Sequence, residues 1–489
     1  MIYWFLYIFV YFSLILPYYA VKKVYAVWFF FCNFVAALNN AYKRLCRLWH
    51  AFLGAPAVCA AMPQGVSVAL FGRLAMEPLH SLHLIILYVM AKFNFDEIVD
   101  RRGSDCVKWD ETDVDGMLPM WVADMDFSTA FLDILAFRTA PAIIEALQRR
   151  AAHGVFGYEY VPQSYYAAVV GWFARRHGWT FRPEWIIYTT GVVPAVSAVI
   201  KAVTVPGDKV LVQTPVYNCF FSSIRNNGCI IEENKLVYSN GTYSVDFEDF
   251  ERRVADPSVK AFLLCNPHNP AGRVWTPDEL RRMGEICLRH GVFVIADEIH
   301  CDIVMPGYKY TPFASLSDEF LANSATCTAP TKTFNIAGLQ IANIIAADDT
   351  VRKKIDRAIN INEVCDVGPF GVVALQAAYN ESEGWLDELL PYIKSNYDYL
   401  CDFFAAHMPM LKVLRLEGTY LVWVDCTALG RTSSDIISEL KDGEKLWLNG
   451  GDIYGETDRP FVRINIACPR ATLVDGLNRL LHYVERIVK

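Results

Sequence analysis

The lysine in the segment TAPTKTFNIAGLQ, residues 328–340, has unusual surroundings. Lys332 is flanked by small and apolar residues, and the nearest acidic residues in the sequence are Glu319 and Asp348. Lysine is normally solvated, and a desolvated ammonium group without a partner is energetically costly. A lysine in such a place can serve as a neutral nucleophile or be held in a Schiff base. The residues around Lys332 raise this question, and the rest of the chain has to answer it.

Polar residues or glycine also follow short apolar runs elsewhere in the sequence. The segments are TTGVVPAVS, TPVYNCF, NPHNPAG and ADEIH, and the residues of interest are Gly191, Val192, Val193, Tyr217, Asn269, Asp297 and His300. Each segment also has an ordinary interpretation: a strand-to-helix turn, a tyrosine at the rim of a core, an Asn-Pro turn, or a structural acid beside a half-buried histidine. No single segment is therefore diagnostic of a site.

The order of these residues along the chain is more specific than any one of them. Free backbone N–H groups at a helix start can hold a phosphate group. An Asn side chain fixed by a turn can read a ligand oxygen, and a strand-end acid can act as a counter-ion in a poorly solvated cleft. With a tyrosine ring and a Schiff-base lysine, these groups meet the needs of pyridoxal 5'-phosphate (PLP).

Helical and strand patterns alternate from residue 141 onwards. KVLVQTP, KAFLLCNP and VFVIADEIH are short apolar runs typical of buried parallel strands, and PDELRRMGEICLRHG between two of them has helical spacing. Pro277 and Asp278 suit the first turn of that helix, and Gly291 suits its end. The alternation predicts an α/β domain whose mainly parallel sheet carries the chemistry at its strand ends. We expect a large domain over 141–379 and a smaller α+β domain over 380–489.

Residues 91–489 resemble the fold-type I PLP enzymes of the class I/II aminotransferase superfamily. The motifs that carry the resemblance stand in family order and are MWVADMDF, FGY, GVVPAVS, PVYNCF, NPHNPAGRVW, ADEIHCD, APTKTFNIAGLQ and FVRIN. They are most similar to the cystathionine β-lyase branch, the MalY/PatB-type C–S lyases. The resemblance implies the PLP-transferase fold type I, with a large domain of mainly parallel sheet flanked by helices and a smaller C-terminal domain, and PLP as cofactor.

The resemblance also implies, position by position, which residues would hold the cofactor. Lys332 would form the Schiff base, Asp297 would pair with the pyridine nitrogen, and Tyr217 would stack on the ring. Asn269 and His300 would reach the phenolic oxygen. The phosphate group would be held by Gly191, Val192, Val193 and Thr331.

Further residues would face the substrate or a second subunit. Arg463, in FVRIN, would grip the substrate α-carboxylate with its guanidinium fork. Trp121 would contribute to the substrate side, with Asp124 beside it at the rim. Tyr158, in FGY, would reach the phosphate group in the neighbouring subunit, and this role implies a homodimer with its sites at the subunit interface.

The activity implied by the resemblance is α,β-elimination from cystathionine or a related cysteine thioether to a thiol, pyruvate and ammonia, as in methionine biosynthesis. Lys332, once free, would take the α-proton of the substrate while Asp297 keeps the ring protonated. The motifs do not separate elimination from transamination, so an aminotransferase is an alternative. A regulatory protein that keeps PLP but acts by docking a partner is another.

Two segments depart from the resemblance. In NPHNPAG, Ala271 stands where a threonine is common, and the lost hydroxyl should matter little. In the 127–140 segment, FSTAFLDILAFRTA, the pattern F-x-T-A occurs twice, as expected of a local insertion of about ten residues. Because this insertion follows MWVADMDF, it could impair the site.

Composition narrows the remaining possibilities. The net charge of −8 opposes nucleic-acid binding, and the 14 cysteines lack the spacing of a metal site, so we expect reduced thiols in the cytoplasm and no metal. Residues 1–89 are apolar and basic, and MAKFNFDEIVD at Met90 is typical of a soluble start. We interpret 1–89 as translated upstream sequence, with a membrane anchor within residues 1–42 as the alternative.

Overall fold

The computed structural model describes residues 93–127, 140–361 and 366–488. The extension 1–89 lies outside the described residues, and so does nearly all of the 127–140 insertion, so our interpretations of both stay predictions. Every helix in the described ranges is too short or too polar to cross a bilayer.

The described residues form α-helices and β-strands in alternation over most of their length. The helices are Val107–Asp110, Pro141–Ala152, Gln163–His177, Val192–Val203, Cys219–Asn226, Phe247–Val254, Pro277–His290, Asp318–Ala322, Asp349–Asn360, Pro369–Glu381, Glu383–His407, Ser433–Glu439 and Arg470–Val488. The strands are β1 (Leu118–Pro119), β2 (Ile186–Thr189), β3 (Lys209–Thr214), β4 (Ile230–Lys235), β5 (Val237–Ser239), β6 (Thr242–Ser244), β7 (Val259–Cys265), β8 (Phe293–Asp297), β9 (Ser324–Thr328), β10 (Ala342–Ile345), β11 (Lys412–Val413), β12 (Leu421–Asp425), β13 (Leu446–Trp447), β14 (Asn449–Gly450) and β15 (Phe461–Asn465).

The large sheet has seven strands in the order β2-β10-β9-β8-β7-β3-β4. All neighbours are parallel except β10, which runs antiparallel to both β2 and β9. Successive residues of β8 alternate between two cores: Ile295 packs with the helix Val192–Val203, and Val294 packs with the helix Pro277–His290. This burial on both faces explains the continuous apolar runs and confirms the predicted mainly parallel sheet.

The helix Pro277–His290 shows how local sequence sets an element. Thr276 and Glu279 form a capping box at its start, and Pro277 occupies the first turn. Gly291 ends the helix with φ at 68°, in the left-handed region that favours glycine. Both predicted ends are confirmed.

A second sheet lies near the C-terminus, where β11, β12, β15 and β14 pair in antiparallel fashion. The segment after β1 runs beside it. β1 pairs with β13, with Leu118 opposite Leu446, and the backbone N–H of Asn465 donates to the carbonyl of Met120 at 3.0 Å. An N-terminal segment is therefore built against the strand that carries Arg463.

Candidate active site

Lys332 follows β9 and lies at the carboxyl edge of the large sheet. Desolvation, partly opposed by the negative charge of Asp124, lowers the pKa of its amine from 10.5 to about 8. Its Nζ atom donates a hydrogen bond to the carbonyl oxygen of Ala123 at 2.5 Å. The structure therefore gives Lys332 an amine that loses its proton more easily than that of an ordinary lysine.

The neighbour of Lys332 is anchored to a buried carboxylate. The hydroxyl of Thr333 donates to Asp302 at 2.8 Å, and Asp302 also accepts from Trp172 Nε1 at 3.0 Å and lies 2.8 Å from His177 Nε2. These partners outweigh the effect of burial and keep the pKa of Asp302 below its usual value. Ligand atoms of His177, Cys301 and Asp302 lie within 4.8 Å of one another, but the carboxylate is already engaged by its hydrogen bonds, as befits an anchor for the lysine loop.

Asp297 ends β8 and is only 5% exposed. Desolvation raises the pKa of its carboxyl to about 7, opposed by a hydrogen bond from the backbone N–H of Ile299 at 3.1 Å and by the charge of Lys332. A buried carboxyl of this kind is stabilised in its charged form by a cation placed against it. This environment suits a partner for a protonated pyridine nitrogen.

Arg463 lies in β15 with a deeply buried guanidinium group. Its Nη2 donates to the carbonyl of Trp121 at 2.7 Å, and its Nη1 donates to Asn269 Oδ1 at 3.2 Å. Its Nε atom is buried and has no hydrogen-bond partner. A buried guanidinium with a spare N–H donor can bind an anionic ligand such as a carboxylate.

His300 is a second buried group with a spare polar atom. It is 4% exposed, its Nδ1 atom has no hydrogen-bond partner, and desolvation and the charges of Lys332 and Arg463 lower its pKa to about 3. The imidazole is thus neutral, and the structure brings it together with Lys332 and Arg463. Such a group can hydrogen-bond a ligand oxygen without adding charge.

The residues predicted to hold the phosphate group stand at two strand ends of one sheet. Gly191 follows β2 in an extended conformation and precedes the helix Val192–Val203, while Thr331 follows β9 and is 8% exposed. A Cβ atom at Gly191 would lie 3.3 Å from Pro194 Cδ, so the turn is tight there. Only β10 separates β2 from β9, and Val193 is 39% exposed at the helix start. Backbone N–H groups at the start of the helix Val192–Val203 are suited to binding an anion.

Tyr217 lies shortly after β3 and is half-buried. Burial raises its pKa, and the charge of Asp297 adds to this effect, so the phenol stays protonated beside that carboxyl. Its ring meets Phe220 edge-on at 6.1 Å between centroids. The ring is thus placed in the same electrostatic neighbourhood as Asp297 and Arg463.

Two predicted residues lie differently from the rest. Trp121 meets Arg463 through its main-chain carbonyl, while its indole stacks on Trp447 at 4.6 Å. Tyr158 is 95% exposed. The predicted contact of the Trp121 ring with substrate and the predicted contact of Tyr158 with a second subunit therefore stay predictions.

Sequence reasoning missed the residues that hold the backbone of residues 122–124 in place. Tyr420 donates to the Ala123 carbonyl at 3.0 Å, and Asn465 donates to the carbonyls of Val122 and Asp124 at 2.6 Å each. The sequence signal that this backbone is anchored was a set of opposite charges in two nearby segments, RRGSDCVKWD and ADMD. Local patterns do not show that these segments pair.

The groups of the site together fit PLP, and two of them, His300 Nδ1 and Arg463 Nε, are buried atoms without a partner. Asp297 would meet the ring nitrogen, His300 and Asn269 would meet the phenolic oxygen, and the start of the helix Val192–Val203 would meet the phosphate group. Lys332 supplies the amine, and Arg463 retains a donor for an amino-acid carboxylate.

Comparison with known proteins agrees with this fit. Residues 124–480 match the family model for class I and II aminotransferases. Cystathionine beta-lyase PatB of Bacillus subtilis (strain 168) is 44% identical over 391 residues, spanning 79% of this chain and 98% of PatB. The predicted resemblance to this branch is thereby confirmed.

Solved structures give the same result. A PLP-bound protein of Clostridium difficile 630, provisionally described as an aminotransferase, has a TM-score of 0.76 and 43% identity, covering 80% of this chain and 100% of its own. The PLP-bound C–S lyase of Staphylococcus hominis has a TM-score of 0.74 and 31% identity, covering 81% of this chain and 100% of its own. The chain therefore belongs to the class I and II aminotransferase family and has the fold type I of PLP-dependent enzymes.

Proposed function

We propose that this protein is a PLP-dependent carbon–sulfur β-lyase that acts on cystathionine or a related cysteine thioether. The observation that carries the proposal is the desolvated amine of Lys332, set among Asp297, Arg463 and His300. The choice of reaction is supported by the 44% identity to a cystathionine beta-lyase. The products would be a thiol, pyruvate and ammonia.

Each residue has a separate task in this reaction. When bound, PLP supplies an electron sink that stabilises negative charge at the substrate α-carbon. Arg463 binds the α-carboxylate through its spare donor and fixes the Cα–H bond relative to Lys332. Asp297, charged beside the ring nitrogen, keeps a proton there.

Lys332 moves the proton. Its amine has a pKa of about 8, so its neutral fraction at neutral to mildly basic pH is far larger than that of an ordinary lysine, and the neutral amine can take the α-proton at Nζ. The Cβ–S bond then breaks, and sulfur leaves with the electron pair as a thiolate. Lys332 holds the proton near the departing sulfur, and water converts the remaining fragment to pyruvate and ammonia.

Amino transfer is the second candidate, because the family model is that of aminotransferases and the Clostridium difficile protein is so described. The two reactions share the first proton transfer and differ in their later steps. Purified protein with PLP and cystathionine should release free thiol and pyruvate without any added keto acid, and Lys332→Ala should abolish both. Amino transfer that requires a keto acid and yields no thiol would contradict the lyase assignment.

The assembly we propose is a homodimer. The segment around Tyr158 exposes apolar side chains that a second copy would cover: Val155, Phe156, Tyr158 and Tyr160 are 54% to 95% exposed. Large exposed aromatic groups in one segment mark interaction surfaces. Tyr158 would then reach the phosphate group of the partner's site.

The compartment we propose is the cytoplasm, and the context is sulfur amino-acid metabolism such as methionine biosynthesis. The cysteines of the described residues are free thiols, as expected in a reducing compartment.

A further inference from the structure

The segment of residues 121–126, which we name the strap, presents the main-chain carbonyls of two alternate residues, Trp121 and Ala123, to the active site. The carbonyl of Trp121 accepts from Arg463 at 2.7 Å and from Asn449 at 3.1 Å. The carbonyl of Ala123 accepts from Lys332 at 2.5 Å. The two side chains that would bind substrate and move its proton are therefore both aligned by one short stretch of backbone.

The acidic side chains of the strap enter a cluster of four charges. Lys108 Nζ lies 2.6 Å from Asp126 and 3.3 Å from Asp124. Arg101 reaches Asp124 at 2.6 Å and Asp126 at 2.8 Å, and donates to the carbonyl of Met125 at 3.1 Å. Two cations thus bind two carboxylates in a crossed arrangement, and the formal charges cancel.

The cluster is largely shielded from water. The side chain of Lys108 is 1% exposed and that of Asp126 is 5% exposed. Trp109 Nε1 completes the set with a 2.9 Å hydrogen bond to Asp126. Removing one member of such a network leaves a buried charge without compensation, so the remaining groups must move or admit water.

The position of Asp124 connects the cluster with catalysis. Its carboxylate is the charge that most strongly favours protonation of Lys332, and Arg101 and Lys108 bind that same carboxylate. Other charges face Lys332 as well: Arg463 opposes protonation, whereas Asp297 and Cys219 favour it. The cluster therefore affects both the position of the strap and the electrostatic potential at the amine of Lys332.

We propose that Lys108 and Arg101 are positioning residues of the active site, because they clamp Asp124 and Asp126 so that the strap presents fixed carbonyl acceptors to Arg463 and Lys332. The expected effect on KM and kcat rests on the proposed function. The clamp of the strap by Lys108 and Arg101 does not depend on it.

The test compares Lys108→Met with Lys108→Arg in the full-length protein. Lys108→Met should raise KM for the thioether by about ten- to a hundredfold with a smaller fall in kcat, because Arg463 loses its alignment. Hydrogen–deuterium exchange should quicken at amides of the strap while the large sheet keeps its wild-type exchange. Lys108→Arg keeps the charge and should restore part of both values.

A matched control exists at the start of β3. Lys209 also binds two acids, Glu232 at 3.0 Å and Asp256 at 2.8 Å, but lies in β3 away from the strap. Lys209→Met should leave KM and the exchange of the strap unchanged. Faster exchange throughout the protein in Lys108→Met, or wild-type KM and exchange in that variant, would overturn the proposal.

A second variant keeps the proposal testable if Lys108→Met does not fold. Arg101 has a side chain that is 23% exposed, and Arg101→Lys keeps its charge while losing the fork that spans both acids. It should show the same rise in KM and the same local exchange, and wild-type values would refute the clamp. If the wild-type protein released no thiol, the proposed function would fail. Hydrogen–deuterium exchange at the amides of the strap would still test whether Lys108 and Arg101 hold the strap in place.

Discussion

Lys332 Nζ and the carbonyl oxygen of Ala123 are 2.5 Å apart, although 209 positions separate the two residues in the chain. A main-chain carbonyl cannot be titrated and cannot turn away without moving the backbone. Lys332 thus has a fixed acceptor that holds its amine in one place. The lysine of the TAPTKTFNIAGLQ segment is partnered by backbone, and its acidic neighbours act through space.

Replacement of Lys332 by alanine should remove the visible absorbance of bound PLP and lower thiol release by at least about a thousandfold, since both the Schiff-base amine and the base are lost. Circular dichroism should stay unchanged, because alanine is smaller than lysine and the change removes only the hydrogen bond to the carbonyl of Ala123. Lys201→Ala, at a surface helix position, is the control and should retain both the band and the activity. An absorbing, active Lys332→Ala protein would refute the assignment.

The capture of PLP by the cofactor-free protein should depend on pH through Lys332. Its pKa is lowered to about 8, so the neutral amine grows with pH and the capture rate should rise up to about pH 8 and then level off. Stopped-flow absorbance at a series of pH values measures this rate. A rate that continues to rise toward pH 10 would mean that the amine behaves as an ordinary solvated lysine.

The same shift has a consequence for stability. A lysine whose folded pKa lies below its unfolded value binds fewer protons when folded, so it favours unfolding at pH below about 8 and ceases to do so above 10.5. The free energy of unfolding of the cofactor-free wild type should therefore rise relative to Lys332→Met as pH increases through this window. Denaturant titrations at several pH values compare the two, and parallel curves would contradict the shift.

Arg463 should matter for binding more than for chemistry. Arg463→Lys keeps a positive charge but loses Nε, the spare donor for the carboxylate, so KM should rise by about ten- to a hundredfold, as expected for loss of a charged hydrogen bond. Steady-state kinetics with cystathionine measures the change. Arg459→Gln, an exposed arginine in the same region, should leave KM unaltered, and a larger loss in kcat than in KM for Arg463→Lys would argue against this role.

A shared site in a homodimer can be tested by complementation. Tyr158→Ala and Lys332→Ala should each be impaired alone, because each lacks one component of every site. After the two are mixed, unfolded and refolded together, random pairing should return about a quarter of the wild-type sites, since each hybrid dimer has one intact site. No recovery from a mixture that forms dimers would place Tyr158 outside the partner's site.

The helices, the strands and the residues at their ends could be predicted from local sequence patterns. The apolar runs of β7 and β8 and the caps of the helix Pro277–His290 are local features, fixed by side-chain size and backbone preference within a few residues. The resemblance of the motifs then named Lys332, Asp297 and Arg463. The family comparisons confirm the fold and the branch that these motifs indicated.

The contacts among these strand ends could not be predicted from local patterns, because they depend on how distant segments fold together. The contact of Lys332 with Ala123, and the clamp of Lys108 on Asp124 and Asp126, depend on an N-terminal segment that lies against β15. Such contacts are hydrogen bonds and ion pairs between distant segments, and their geometry follows from the order and register of the strands. A local pattern contains charges and carbonyls, but the pairing among them is set by the folded chain.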